Sequence, residues 1–180
     1  MKMIKKYSIL LLSILVIFTL AACSNKPKRN TPVAYFDPLP PTLVAELRSG
    51  GVQIVQQGSR LQLILPTDKF FRLQTIQLKE EQADTMERIA LYLKYFLKNH
   101  PTSTDITVSG YTDTVYNKVE RQKLSRQYAE VVASYLWNQG FNQDQLRVTG
   151  YGSQHPVASI TTPRGSSYNR RVVIQVNPRS

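Results

Sequence analysis

The side chains with chemical reach are few and lie mostly in the second half of the chain. Asp113 closes the run Gly110-Tyr111-Thr112-Asp113, a glycine-led loop in which aspartate ordinarily serves as a turn or cap residue. Arg170 and Arg171 are neighbours on a predicted strand, so they face opposite ways and at most one can reach a given pocket. His100 and His155 each precede a proline and read as loop residues. Asp113 has no histidine in its motif, no serine sits in a nucleophile elbow, and no His/Asp/Glu cluster has metal-ligand spacing. A single cysteine, Cys23, rules out an intramolecular disulfide and a thiolate metal cluster. Neither catalysis nor a cofactor is expected.

The elements that must position these residues follow from periodicity. Thr42 to Ser49 reads as a short helix stopped by Gly50-Gly51, and Val52 to Leu65 as two strands around a Gln57-Gly58-Ser59 turn. An irregular loop is expected from Phe70-Phe71. Met86, Ile89, Ala90, Leu93 and Leu97 recur at helical spacing within a helix from Glu80 to Asn99, ended by His100-Pro101. A short strand from Asp105 to Ser109 precedes a second long helix, Lys118 to Gln139, with Ser125, Ala129, Val132 and Leu136 on one face. Gln145 to Thr149 is expected as a third core strand and Arg171 to Val176 as the last. Strands alternating with helices of this length imply an α/β (α+β) sandwich, two long helices packed on one side of a small mixed sheet. The 180 residues, 42% hydrophobic and 19% charged, suit one globular domain plus some extra, and not two large ones.

The extra lies at the N-terminus. Lys2, Lys5 and Lys6 form a basic leader before the apolar run Ile9 to Leu20, the pattern of a secretory signal peptide. The run is shorter than the roughly 20 residues of a transmembrane helix. It ends in Leu20-Ala21-Ala22-Cys23, which resembles the bacterial lipobox. The resemblance implies cleavage before Cys23, acylation of its thiol and, with Ser24 following, delivery to the outer membrane. Removing residues 1–22 takes away three lysines, so the formal charge of +11 becomes +8, from 20 basic and 12 acidic residues. No free thiol would then remain, which excludes redox chemistry. Residues 23–41 read as the lipidated cysteine and a proline-rich tether, able to span roughly 50 Å if extended. Residues 42–60 form an N-terminal extension of the domain that occupies 61–180.

Within that domain, Gly110-Tyr111-Thr112-Asp113, Leu124-Ser125, Ala129, Val132, Leu136, Gly150-Tyr151-Gly152 and Asn169-Arg170-Arg171-Val172 form an ordered series. In order and spacing it resembles the C-terminal domain of the OmpA family, over roughly Leu61 to Val176. The resemblance implies a periplasmic domain that associates non-covalently with peptidoglycan. It also implies recognition of a zwitterion, the diaminopimelate side chain: an aspartate pairs its ammonium and an arginine on the following helix pairs its carboxylate. By position the aspartate is Asp113, while the arginine position holds Tyr128, which offers a phenol instead of a guanidinium fork. Arg121 is about 20° from Tyr128 in helical azimuth and about 10 Å along the axis, whereas Arg126 is about 160° away. Arg121 is accordingly the expected substitute, either serving the pocket or closing it against Asp113. The expected peptidoglycan-binding set is Asp113, Arg121, Tyr128, Arg170 and Arg171, with Cys23 for lipidation.

Size and layout are also similar to small basic lipoproteins of type IVB secretion systems, which implies envelope or secretion-system proteins as further partners beside outer-membrane lipid. The competing expectation is a structural subunit that keeps the fold with a non-binding pocket. Tyr92, Tyr95, Tyr128 and Tyr135 lie on helix faces and read as packing, and the basic charge suits anionic wall polymer and lipid headgroups; no nucleic-acid partner is expected.

Overall fold

The computed structural model describes residues 41–73, 75–101 and 105–178; the predicted signal segment, Cys23 and the tether up to residue 40 lie outside them. Helix α1 (Pro41–Ser49) begins on a proline, tolerated where a helix N–H has no partner to lose, and buries Leu43 and Leu47 one turn apart. Gly51 ends it at φ +95°, letting the Val52 N–H return to the Leu47 carbonyl at 2.9 Å. The chain continues through β1 (Gln53–Gln57) and β2 (Arg60–Pro66), helix α2 (Ala83–Asn99), β3 (Asp105–Tyr111), helix α3 (Lys118–Asn138), β4 (Leu146–Gly150), the short helix α4 (Pro163–Asn169) and β5 (Arg171–Asn177).

These strands form one mixed sheet in the order β1-β2-β5-β3-β4, antiparallel except for the parallel pair β3–β4. Register aligns three rows on the inner face: Leu61, Val176 and Ile106; Leu63, Ile174 and Val108; Leu65, Val172, Gly110 and Gly150. Every aliphatic side chain in these rows is fully buried. Met86, Ile89, Ala90 and Leu93 of α2 and Ser125, Ala129, Val132 and Leu136 of α3 are buried in the same core. The third row explains the glycines. A methyl group on Gly110 would lie 1.8 Å from the Ser125 carbonyl oxygen, and one on Gly150 would lie 2.5 Å from the Arg126 nitrogen. The backbone of α3 thus rests directly on the ends of β3 and β4.

Three local expectations change. The irregular segment expected from Phe70-Phe71 starts after Phe70: Thr67–Phe70 is a single helical turn, and both phenylalanines are buried in the core. Glu80–Gln82 is a 3₁₀ turn leading into α2 and not part of the helix itself. The strand expected in the core near Gln145 is an edge strand, with Leu146 and Val148 only half-buried.

Candidate ligand site

Pro66, Arg171 and Tyr111 form the last cross-strand row at one end of the sheet. The residues just past that row are brought together: Asp68 follows β2, Asp113 follows β3 and Arg170 precedes β5. Arg170 donates from Nε and Nη2 to the two carboxylate oxygens of Asp68, at 2.9 and 2.5 Å. Its Nη1 donates to Asp113 Oδ2 at 2.6 Å. The other Asp113 oxygen accepts the Val115 N–H at 3.2 Å, which fixes the loop as an aspartate turn. Asp113 is 5% exposed, while the Asp68 side chain is 43% exposed, so one carboxylate forms the floor and the other stands at the mouth. The pair holds the Arg170 guanidinium even more firmly protonated than usual, Asp68 contributing most and burial opposing.

This cluster faces a cavity of about 380 Å³ whose other walls include Phe71, Leu124 and Tyr128. The Tyr128 ring packs on Phe71 with centroids 4.6 Å apart. Its phenol is pushed above the ordinary value, first by burial and then by Tyr116 and Asp68, so it is a neutral wall at physiological pH. Lys79 stands beside the cavity with Nζ donating to the Asp68 carbonyl oxygen at 3.0 Å, and Arg72 lies 3.4 Å from Glu80. Three of Arg170's five N–H groups are spent on aspartates, leaving two for a ligand. The arrangement can pair an ammonium with carboxylates and offer a guanidinium to an anion.

Of the residues singled out by sequence, Asp113, Tyr128 and Arg170 share this cavity and Arg121 and Arg171 do not line it. Arg121 lies against the Gly152 loop, its Nε buried without a hydrogen-bond partner. A methyl group on Gly152 would lie 3.4 Å from both the Arg121 Cβ and the Gln122 nitrogen, so the start of α3 rests on that loop and alignment with Tyr128 around the helix does not bring Arg121 into the cavity. Arg171 points to the opposite sheet face, where its guanidinium lies 3.9 Å from the Tyr111 ring centre and donates to the Asn169 and His155 carbonyls. Burial lowers its pKa, partly offset by Tyr111. Sequence reasoning missed Asp68 and Phe71. An aspartate two residues after a strand-ending proline looks like any turn residue, and only the pairing of β2 with β5 puts it beside Arg170.

Fold and site together define an α/β module carrying a charged cavity at the ends of three adjacent strands. The model of the OmpA family matches residues 70–170, and the chain belongs to that family. It is 33% identical over 144 residues to the probable lipoprotein YiaD of Escherichia coli, a match covering 80% of this chain and 64% of YiaD. It is 43% identical over 72 residues to the peptidoglycan-binding protein ArfA of Mycobacterium tuberculosis, covering 40% of this chain and 22% of ArfA. The chain thus spans less than two-thirds of these curated relatives. Among solved structures, the cell wall anchor of the T6SS from Pseudomonas aeruginosa superposes with a TM-score of 0.63 at 22% identity, over 76% of this chain and 94% of that one. None of these three is named as an enzyme.

Proposed function

We propose that the protein is an outer-membrane lipoprotein, anchored through acylated Cys23, whose periplasmic domain associates non-covalently with peptidoglycan and positions an envelope assembly. The observation that carries this reading is the cluster of Asp68, Arg170 and Asp113 lining a cavity in an OmpA-family fold. Asp113 receives the ammonium of the diamino acid in a stem peptide, diaminopimelate by the family resemblance, and Arg170 supplies the guanidinium that Tyr128 does not. In size and layout the chain resembles the DotK (IcmN) lipoprotein of the Dot/Icm type IVB secretion system, which makes a secretion machine the assembly of choice. Cys23 and the tether lie outside the described residues, so this part rests on sequence.

Co-sedimentation with purified sacculi tests the reading. Wild type is expected to pellet, and Asp113→Ala to stay in the supernatant. Equal pelleting of both would mean that basic charge alone holds the protein to the wall. A second reading is favoured by the internal pairing of Arg170 with both aspartates: a scaffold subunit of a secretion core complex with a self-satisfied, non-binding pocket. Failure of the wild type to pellet would select it.

A further inference from the structure

The sheet face away from α2 and α3 carries a second and larger cavity, about 730 Å³ against about 380 Å³ for the one around Asp113. Ile64 and Pro66 alternate along β2 with the buried Leu61, Leu63 and Leu65, so they turn outward and form one apolar wall. Val157 and Ala158 form another, their N–H groups held by Asn169. Arg171, opposite Pro66 in the register, lines the same cavity. Only 7% of Arg171 is exposed, yet no carboxylate among the described residues pairs with it. The Asn169 and His155 carbonyls and the Tyr111 ring are neutral partners, and they occupy two of its five N–H groups. A cation withdrawn from water without a counter-ion is costly, and an incoming anion recovers that cost.

The rest of the lining does not supply the anion. Asp68, its one acidic side chain, gives both oxygens to Arg170. Lys69, exposed at the rim, adds a second cation with no ion-pair partner among the described residues. We infer that this cavity is a second binding site, where Arg171 and Lys69 hold the carboxylate that ends a small aliphatic residue. A bare inorganic anion would leave the walls of Ile64, Pro66, Val157 and Ala158 uncovered, whereas a methyl-bearing carbon beside the carboxylate covers them. On the wall-binding reading, on which this choice of source rests, the residue is the terminal alanine of a stem peptide.

N-acetyl-D-alanine and its carboxamide, which differ by the charge alone, probe the site. Each is titrated into the full lipidated chain, ¹⁵N-labelled in detergent micelles, and read by amide chemical shifts. The acid is expected to move the Ala158, Ser167 and Tyr168 amides saturably, and the carboxamide to bind about tenfold more weakly. Lys69→Gln weakens the acid about threefold. Val157→Glu, at a position 63% exposed, supplies a carboxylate from within the chain and abolishes the preference for the acid; Val157→Gln keeps it. Arg171→Gln also loses the preference, and the Val157 pair decides the matter if that variant does not fold. Equal responses to acid and carboxamide, or a preference that survives Val157→Glu, overturn the site and leave wall binding through Asp113 standing. The source is read from L-Ala-γ-D-Glu-meso-diaminopimelyl-D-Ala with a free or an amidated terminus: the free form is expected to bind about tenfold tighter and to move the same amides. Equal binding of the two forms overturns the alanine-terminus assignment. Sacculi that fail to pellet the protein, with N-acetyl-D-alanine still bound, overturn the wall-binding reading and its choice of source but not the second site.

Discussion

Arg170 and Arg171 are adjacent in sequence and opposite in use. Arg170 is drawn between two carboxylates, whereas Arg171, 7% exposed, has no ion-pair partner among the described residues and is held by two carbonyls and the Tyr111 ring. The expectation that both sit on a strand was one residue out, since Arg170 caps the end of α4 and only Arg171 begins β5; which of them meets Asp113 depended on the pairing of β5 with β2 and β3, invisible to any local pattern. Arg121 does not line the cavity, and a helical wheel could not have said so, since it gives azimuth but not what lies opposite. Their neighbour Asn169 is 2% exposed and acts as a clamp. Its Oδ1 accepts the N–H groups of Val157 and Ala158 at 2.8 and 3.1 Å, and its Nδ2 donates to the Ala158 carbonyl at 3.0 Å. Asn169→Ala removes all three bonds and is expected to destabilise the domain by about 2–3 kcal/mol, measured by urea unfolding. Proteolytic nicking between residues 155 and 162 should rise in parallel. An unchanged midpoint and an uncut loop would remove the clamp role.

Helix α3 shows how an element inherits its position from a few small residues. Its start is set locally: Asn117 accepts the Glu120 N–H at 3.0 Å and Glu120 reaches back to the Asn117 N–H, a capping box. Its height above the sheet is set by Gly110, Gly150 and Ser125, whose Oγ accepts the Gly152 N–H at 2.8 Å and donates to the Gln122 carbonyl at 3.0 Å. Much of the motif series that carried the family resemblance is therefore scaffold, which is why the fold was readable where the pocket was only partly so. Helix periods and strand alternation were legible because each is a local consequence of burying one face. The place of β4 at the sheet edge was not, because Leu146 and Val148 alternate identically at an edge or in the centre. Gly110→Ala tests the contact. Its methyl would collide with backbone that cannot swing aside, so a loss of at least about 3 kcal/mol is expected, with Tyr128 displaced from Phe71. Near-wild-type thermal stability would mean that α3 can ride higher on the sheet than the packing implies.

Three phenols lie in separate layers of the domain: Tyr92 on α2 and Tyr128 on α3 at the cavity are buried, and Tyr111 at the end of β3 is half-buried. Burial raises all three above their ordinary value of 10.0; Arg48 opposes it at Tyr92, Arg171 at Tyr111 and Arg170 at Tyr128. A phenol with a raised folded value is neutral in the fold when its unfolded counterpart would already be ionised. Its contribution to stability is thus complete below about pH 10 and is lost as pH climbs through the higher folded values. Function at neutral pH is untouched, and Tyr128 stays an uncharged wall beside two carboxylates. Phenolate absorbance at 295 nm should accordingly show two waves among the chain's ten tyrosines. The later wave, from Tyr92, Tyr111 and Tyr128, comes above their ordinary value, together with the loss of far-UV circular dichroism. Tyr92→Phe and Tyr128→Phe should each shrink the second wave and move unfolding to higher pH. A single wave with the fold intact would show that these rings reach solvent, and would strip the cavity of the dry aromatic wall that makes its charge pairing strong.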